Sequence, residues 1–343
     1  MRKLLNTLYI TNPDAYMTRD GDNIVIKVND MEIGRRPIHI LENIVCMNYV
    51  GLSPTLIKLC TDNKVGVIFL NNYGQFMGRI QGKVNGNVLL RREQYRIADN
   101  ENQSLNLAKT FIIAKIVNGR KIINRALRDH NDVIDSTLLK YVEENMKNSI
   151  SKIRECNNAN ELRGIEGDIS KLYFKGINEL ILKQKEHFYF RERTRRPPTD
   201  NFNALLSFAY TLLTNEMVNA LETVGLDPYV GFLHTDRPGR VSLALDLIEE
   251  LRSYMADRFV LSLINLKQIN DKHFIVKENG GVILTEDARK IFLSAWQKKK
   301  LEKIVHPFID ETIEIGLIPY TQALLLSRFI RKDIEGYPPF FVK

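Results

Sequence analysis

Ala98-Asp99-Asn100-Glu101-Asn102-Gln103-Ser104 divides this chain into two unlike parts. The stretch is polar and reads as part of a linker over residues 99–106. On its N-terminal side the pattern is that of strands. Ile24-Val25-Ile26-Lys27-Val28 is rich in β-branched residues, and Asp20-Gly21 ahead of it is a hairpin signal. Pro37-Ile38-His39-Ile40 and Val65-Gly66-Val67-Ile68-Phe69-Leu70 continue the strand pattern. Asn85-Gly86 signals a further hairpin between Met77-Gly78-Arg79-Ile80 and Val88-Leu89-Leu90. One helix interrupts them: Ser53 is placed to cap it, Pro54 suits its first turn, and Leu56, Ile57, Leu59 and Cys60 give it an apolar face. On the C-terminal side the period becomes helical. Leu105 to Arg128 has no proline and one glycine, and helical stretches follow near 132–149, 159–182, 200–222, 241–265, 285–298 and 319–332. The expected fold is α+β: a β-rich, sandwich-like domain over 1–98, then a larger all-α domain over 107–343.

Bulk composition narrows the class. A chain of 343 residues with 44% hydrophobic residues can bury a sizeable core, which argues against wholesale disorder. A net charge of +8 favours an anionic partner, nucleic acid before an acidic membrane surface, although a basic surface also serves solubility alone. The three cysteines, Cys46, Cys60 and Cys156, form no Cys-x-x-Cys pair and fit buried free thiols in a reducing compartment. No apolar run approaches the ~20 residues that span a bilayer, and the first residues lack the apolar core of a leader; a cytoplasmic protein with no membrane partner is expected.

Three segments can carry chemistry. The first runs Gly231-Phe232-Leu233-His234-Thr235-Asp236-Arg237-Pro238-Gly239-Arg240, then Val241-Ser242-Leu243-Ala244-Leu245-Asp246-Leu247-Ile248-Glu249-Glu250-Leu251-Arg252. Asp246 stands three residues from Glu249 and four from Glu250, so helical spacing sets the acids on one face. A solvated acidic face is the ordinary meaning of such spacing. Here leucines and an isoleucine surround the acids, which points to a buried helix, and a Pro/Gly loop can fold His234 back over it. The second segment is Asn160-Glu161-Leu162-Arg163-Gly164-Ile165-Glu166-Gly167-Asp168. Each helical glycine costs about 1 kcal/mol relative to alanine, so Gly164 and Gly167 need a reason. Close approach of a ligand or backbone beside Glu166 is one, and helix–helix packing is another. The third segment is Phe188-Tyr189-Phe190-Arg191-Glu192-Arg193-Thr194-Arg195-Arg196-Pro197-Pro198-Thr199-Asp200. Its four arginines suit phosphate, because the planar guanidinium can grip two oxygens, and its aromatics suit stacking on unpaired bases. A solvated charge run beside a core aromatic cluster fits the same residues. Thr199 or Asp200 can cap the following helix, on which Asn203 and Ser207 lie four apart, able to bond a phosphate or to satisfy buried polar groups.

Leu162-Arg163-Gly164-Ile165-Glu166-Gly167, Arg196-Pro197-Pro198-Thr199-Asp200 with Asn203 to Tyr210, and Gly225 to His234 with Asp246-Leu247-Ile248-Glu249 together resemble the CRISPR-associated integrase, the Cas-one family. His306-Pro307-Phe308 and Tyr337-Pro338-Pro339-Phe340 extend the resemblance over essentially the whole chain, in a version most like the type I-C form. The resemblance implies that Glu166, His234 and Glu249 ligate a catalytic metal, Mg²⁺ or Mn²⁺, with Asp246 in support. Glu249 stands where other members often have aspartate, which leaves open which of Asp246 and Glu249 lies closer to the metal. It implies a metal-dependent endonuclease and transesterase that joins the 3′-hydroxyl of a short DNA fragment to the border of a CRISPR repeat. It further implies double-stranded DNA as partner, a homodimer formed through the β-rich domain, a second small adaptation protein that bridges two dimers into a heterohexamer, and an accessory adaptation nuclease. Arg191, Arg193, Arg195, Arg196 and Lys298-Lys299-Lys300 are the expected DNA contacts, and Tyr210 matches a family tyrosine near the site. Two other classes compete: a non-catalytic DNA-binding scaffold of the same fold, and a metal-dependent hydrolase of small phosphoesters.

Overall fold

The computed structural model describes residues 6–47, 50–71, 76–80, 82, 88–195 and 197–342. Its chain divides into two compact units: one of Met1–Asn85 with Leu284–Ile304 and Glu314–Leu317, the other of Gly86–Ile283 with Val305–Ile313 and Ile318–Lys343.

In the first unit the strands are β1 (Thr7–Ile10), β2 (Ala15–Asp20), β3 (Asn23–Val28), β4 (Met31–Pro37), β5 (Asn43–Met47) and β6 (Gly51–Leu52). Helix α1 (Pro54–Asp62) and strands β7 (Gly66–Leu70) and β8 (Phe76–Ile80) follow. Among the described residues they make two four-stranded sheets, ordered β1-β5-β7-β8 and β4-β3-β2-β6. The expected turn after Asp20 is there, since β2 and β3 pair antiparallel from Asp20–Asn23 outward. Sequence alone did not distinguish parallel from antiparallel partners. In fact β1–β5 and β5–β7 run parallel; strands β2–β4 connect the first pair, and α1, which Ser53 caps by accepting from the Leu56 amide at 3.2 Å, makes the crossover of the second. Ile10, Met17, Ile24, Ile44, Leu56 and Val67, drawn from both sheets and the helix, share one core, which makes the unit sandwich-like. Pro37 ends β4, and Ile38–Ile40 is a 3₁₀ turn rather than a strand.

The second unit is helical: α2 (Val88–Asp99), α3 (Glu101–Asp129), α4 (Ser136–Glu155), α5 (Ala159–Ile177), α6 (Asn201–Val224), α7 (Ser242–Glu249) and α8 (Arg258–Asn265). Helix α9 (Glu286–Leu301) belongs to the first unit, and α10 (Ile318–Ile330) returns to the second. Two sequence expectations are corrected here. Val88-Leu89-Leu90 is the first turn of α2, not a strand, and its Asn85-Gly86 hairpin signal lies outside the described residues. The polar stretch 98–104 is no irregular linker. It breaks only at Asn100, whose side chain caps α3 by accepting from the Gln103 amide at 3.0 Å. Residues 101–106 are then helical, and Ser104 is buried.

Side-chain caps start most of these helices. Asp135, Asn158 and Asp200 accept from the amides of Leu138, Glu161 and Asn203 at 2.9, 2.9 and 2.7 Å. Gly225 closes α6 in the left-handed region at φ 88°, which only glycine adopts without strain. The three cysteines are buried and free, as expected, and burial pushes the Cys46 and Cys60 thiols up to about 12 and about 11. Among the described residues no helix is long and apolar enough to cross a membrane.

Candidate metal centre

Two acids expected at the site, Glu166 on α5 and Glu249 at the end of α7, meet around one ammonium group. Lys115, from the middle of α3, hydrogen-bonds Glu166 Oε1 and stands 2.9 Å from Glu249 Oε2. Ser170, one turn after Glu166, donates to the same Glu166 oxygen at 2.7 Å and receives from Lys115 Nζ at 2.9 Å. Arg252 completes the group, its guanidinium 2.8 Å from Glu249 Oε1. Burial alone would raise the pKa of Glu249. Arg252, then Lys115 and His234, outweigh it and hold the carboxyl at about 2. Burial works against charge on Lys115 too, and there Glu249 and Glu166 prevail and raise its pKa.

The loop between α6 and α7 brings in His234, and it is fastened from both sides. Its carbonyls are held by side chains of three helices. Gln94 on α2 donates to Asp227 O at 2.8 Å and Val230 O at 2.9 Å, Ser104 on α3 donates to Phe232 O at 2.9 Å, and Arg163 on α5 donates to Leu233 O at 2.8 Å. Its three amides from Phe232 to His234 are held by one carboxylate. Asp246 Oδ2 accepts from Phe232 N at 2.6 Å and Leu233 N at 2.9 Å, and Oδ1 accepts from His234 N at 3.1 Å. Asp246 Oδ1 also lies 2.6 Å from His234 Nδ1, which fixes the ring and leaves Nε2 as the nitrogen a ligand could use. With four partners and no exposure, Asp246 is an orienting group, and its oxygens are spent.

The two acids of α7 and Glu250, the residue after it, therefore part company. Asp246 serves the loop, Glu249 serves Lys115 and Arg252, and Glu250 turns to the C-terminal tail. Glu250 Oε1 accepts from the Tyr337 hydroxyl at 2.5 Å and from Gln322 Nε2 at 3.0 Å, and Oε2 accepts from Phe340 N at 2.9 Å. Burial outweighs these donors and pushes Glu250 up to about 7. Gln322 Oε1 in turn lies 3.0 Å from Nε2 of buried His306, which places the His306-Pro307-Phe308 motif in this network. On α3, one turn beyond Lys115, Asn118 donates to Glu250 O and to Phe340 O, each at 2.7 Å, and accepts from Val342 N at 2.9 Å.

After α7 the backbone opens into a π-helical segment, Arg252–Asp257, a form that recurs at functional sites. It turns Asp257 inward, where the carboxylate accepts from the hydroxyls of Tyr210 (2.5 Å) and Tyr173 (2.9 Å). Burial pushes Asp257 up to about 6, with both hydroxyls and then Arg252 pulling the other way. Tyr210 is thereby tied to the centre: the Arg252 and Arg193 guanidinium carbons lie 5.2 and 5.3 Å from its ring centroid.

The glycines resolve unevenly. At Gly164 and Gly167 an added Cβ would meet nothing within 4 Å, so helix–helix packing is not their reason, and both flank Glu166 on an open face. Packing falls instead to Gly119 on α3, where a Cβ would sit 3.0 Å from Met146 Cε. Gly231 has the least room of these four: a Cβ there would lie 2.8 Å from Asp246 Oδ2 and 2.9 Å from the Ser242 carbonyl carbon. Gly231→Ala should lower stability by about 1–3 kcal/mol, because backbone has to move to admit the methyl. An unchanged thermal midpoint would mean that the loop is looser than this geometry.

The expected DNA contacts separate in the same way. Arg191 and Arg195 are exposed, Arg191 lying 5.0 Å from the Tyr189 ring. Arg193 is half-buried and engaged with Thr194 O (2.5 Å), Asn203 Oδ1 (2.7 Å) and Ser207 Oγ (3.2 Å), which assigns Asn203 and Ser207 to internal satisfaction. Arg196 lies outside the described residues. Lys298 is exposed, Lys299 pairs with Glu302 at 2.6 Å, and Lys300 is buried, against the expectation that it contacts DNA; all three sit in the first unit. The base-stacking aromatics are corrected too. Phe188 is buried and Phe190 stacks on Phe174 at 4.8 Å, leaving Tyr189 as the exposed ring.

Sequence reasoning passed over Lys115, Arg252 and Asp257. Lys115 had one signal, a single charge within the apolar run Ile112-Ile113-Ala114-Lys115-Ile116-Val117. Arg252 had another, its i,i+3 spacing from Glu249. Among the described residues no three histidine, cysteine or acidic side chains form a ready-made metal cage. The donors nevertheless suit a divalent ion. Two carboxylates already converge on a cation, buried Glu249 Oε2 accepts no well-directed hydrogen bond, and an oriented imidazole lies close enough to lower the Glu249 pKa. Oxygen donors with one imidazole fit Mg²⁺ or Mn²⁺.

Comparison with known proteins gives this arrangement relatives. The family model described as CRISPR associated protein Cas1 matches residues 8–298. A CRISPR-associated endonuclease Cas1 of Chlorobaculum tepidum is 47% identical over 340 residues, covering 99% of each chain. Among solved structures, a casposase bound to its integration product superposes with a TM-score of 0.83 at 21% identity, over 96% of this chain and 92% of that one. A chain of a Cas6-RT-Cas1–Cas2 complex gives 0.82 at 22% identity, over 98% of this chain and 36% of that one. At these identities the structures speak to fold.

Proposed function

This chain belongs to the CRISPR-associated Cas1 family, and from that premise we propose that it is the metal-dependent DNA integrase of CRISPR adaptation. Its enzymatic class is that of its relatives, nucleases acting on DNA phosphodiester bonds. The observation that carries the finer reading is the convergence of Glu166 and Glu249 on one cation, beside an imidazole that buried Asp246 aims. A scaffold that only bound DNA would gain nothing from acids so placed.

Glu166, Glu249 and His234 Nε2 would hold the ion. A bound Mg²⁺ or Mn²⁺ supplies positive charge at the scissile phosphate and for the leaving oxygen. The chain's own groups do the positioning. Asp246 keeps His234 in one tautomer and one orientation, and Arg252 keeps Glu249 ionised. The reaction we propose is transesterification. The 3′-hydroxyl of a short fragment attacks a phosphodiester at the repeat border, the phosphorus–O3′ bond of the repeat strand breaks, and the proton lost by the nucleophile is balanced by one gained at the leaving 3′-oxygen. With water as nucleophile the same site would cleave DNA. No side chain needs to act as nucleophile.

Family membership supports the partners in this proposal: double-stranded DNA, a second copy of the chain, the small adaptation protein that bridges two dimers, and an accessory nuclease. Dimerisation through the β-rich unit has support in its exposed apolar residues, with Met31 69% and Ile33 58% exposed on strand β4 at one end of its sheet.

A half-site strand-joining assay tests the reading. Chelation with EDTA should stop joining and Mn²⁺ should restore it, and joining that persists in the chelator refutes the metal site. Raising salt from about 50 to 200 mM should lower joining steeply, because phosphate contacts release counterions. A flat response would favour a small phosphoester as substrate.

A further inference from the structure

We propose that Lys115 is an exchangeable internal cation: its ammonium holds Glu166 and Glu249 together until a divalent ion enters, and then passes to a phosphate of the DNA backbone. The inference rests on the metal reading of the site and adds a residue to it.

Charge balance is the reason. Glu166 and Glu249 carry two negative charges, and Lys115 and Arg252 carry two positive ones within ion-pair distance of them. The cluster is neutral before any metal arrives. A divalent ion added to it leaves an excess of two positive charges in a poorly solvated place, where like charges repel strongly. One resident cation has to go.

The surroundings select Lys115. Arg252 is held at 2.8 Å to Glu249 Oε1, lies against the Tyr210 ring, and is fixed by the π-helical segment that begins with it. Lys115 is a point charge on a flexible four-carbon stem, tied among the described residues to the two carboxylates and Ser170. Its side chain keeps 17% exposure, so a path to solvent exists. Once Lys115 has left, Ser170 Oγ still donates to Glu166 Oε1 and keeps that carboxylate in place. A phosphodiester arriving with the substrate supplies the anion that Lys115 then needs. Metal and DNA should therefore bind cooperatively, each favouring the state in which Lys115 has left the acids.

Amine labelling of the intact wild-type protein, read by peptide mass spectrometry, tests the exchange. Mn²⁺ binding is followed in the same samples by electron paramagnetic resonance. Mn²⁺ alone should raise the labelling rate of Lys115 several-fold, and Mn²⁺ with a duplex half-site should lower it again. Bound Mn²⁺ with unchanged Lys115 labelling overturns the exchange and leaves the metal reading standing. Absence of Mn²⁺ binding overturns both. Lys115→Met gives a second measurement. It should bind Mn²⁺ at least tenfold more tightly than wild type without DNA, and Mn²⁺ should raise its thermal midpoint more. A variant that folds only with Mn²⁺ meets that expectation, and equal affinity in the two proteins contradicts it.

Discussion

Asp246→Asn should reduce strand joining by about 100-fold and lower stability by about 3 kcal/mol, although asparagine has the same shape. Both aspartate oxygens are acceptors facing donors. Oδ2 receives the Phe232 and Leu233 amides, and Oδ1 receives the His234 amide and stands against the His234 ring nitrogen. An asparagine has one oxygen, so whichever way it turns, its amino group confronts an N–H and at least one buried amide is left unpaired. The oxygen can still set the imidazole only by leaving the Phe232 and Leu233 amides unpaired, and in either orientation the loop loses part of its central fastening. His234→Ala should abolish joining to a similar extent with less effect on folding, since only the ring is removed. Thermal midpoints with single-turnover joining separate the two. If Asp246→Asn joins DNA at the wild-type rate, His234 is not oriented by this carboxylate.

The second large effect concerns Glu250 and depends on pH. Its carboxyl is raised from 4.5 to about 7 by burial. Below pH 4.5 folded and unfolded chains both hold the proton, and the group contributes no difference. As pH rises towards 7 the unfolded chain gives up its proton and the folded chain keeps it, so stability falls. Above 7 the loss is complete, about 3 kcal/mol. Glu250→Gln removes this titration. Its unfolding free energy, measured with denaturant between pH 5 and 8, should be flatter than that of the wild type by roughly that amount. Parallel curves would show that Glu250 is not buried as a proton-holding group.

The helical half was readable because period and caps agreed. Asp200, named as a possible cap, caps α6, and the apolar run around Asp246 is the buried α7. The misreadings have local causes. Val88-Leu89-Leu90 has strand-like side chains, and its place in a helix is settled by Leu90 and Gln94 being buried one turn apart, Gln94 gripping the loop at Asp227. The stretch 98–104 looked like a linker because polarity hides a helix whose buried residue is a serine, and Ser104 is buried to hold Phe232 O. Resemblance named Glu166, His234 and Glu249, and the two acids among them meet at Lys115. Lys115 could not be found that way, since one lysine in a long helix carries no sign of the two acids, distant in sequence, that it meets.

Among the points that the tail from Tyr337 to Val342 grips are Glu250, the neighbour of Glu249, and Asn118, one turn from Lys115. A pull on the backbone at Val342 is therefore delivered to the helix that carries Glu249 and to the helix that carries Lys115. Mechanically the end of the described chain is a tendon of the centre, and a load hung there, by a tag or by a tethered partner, is felt where the acids meet.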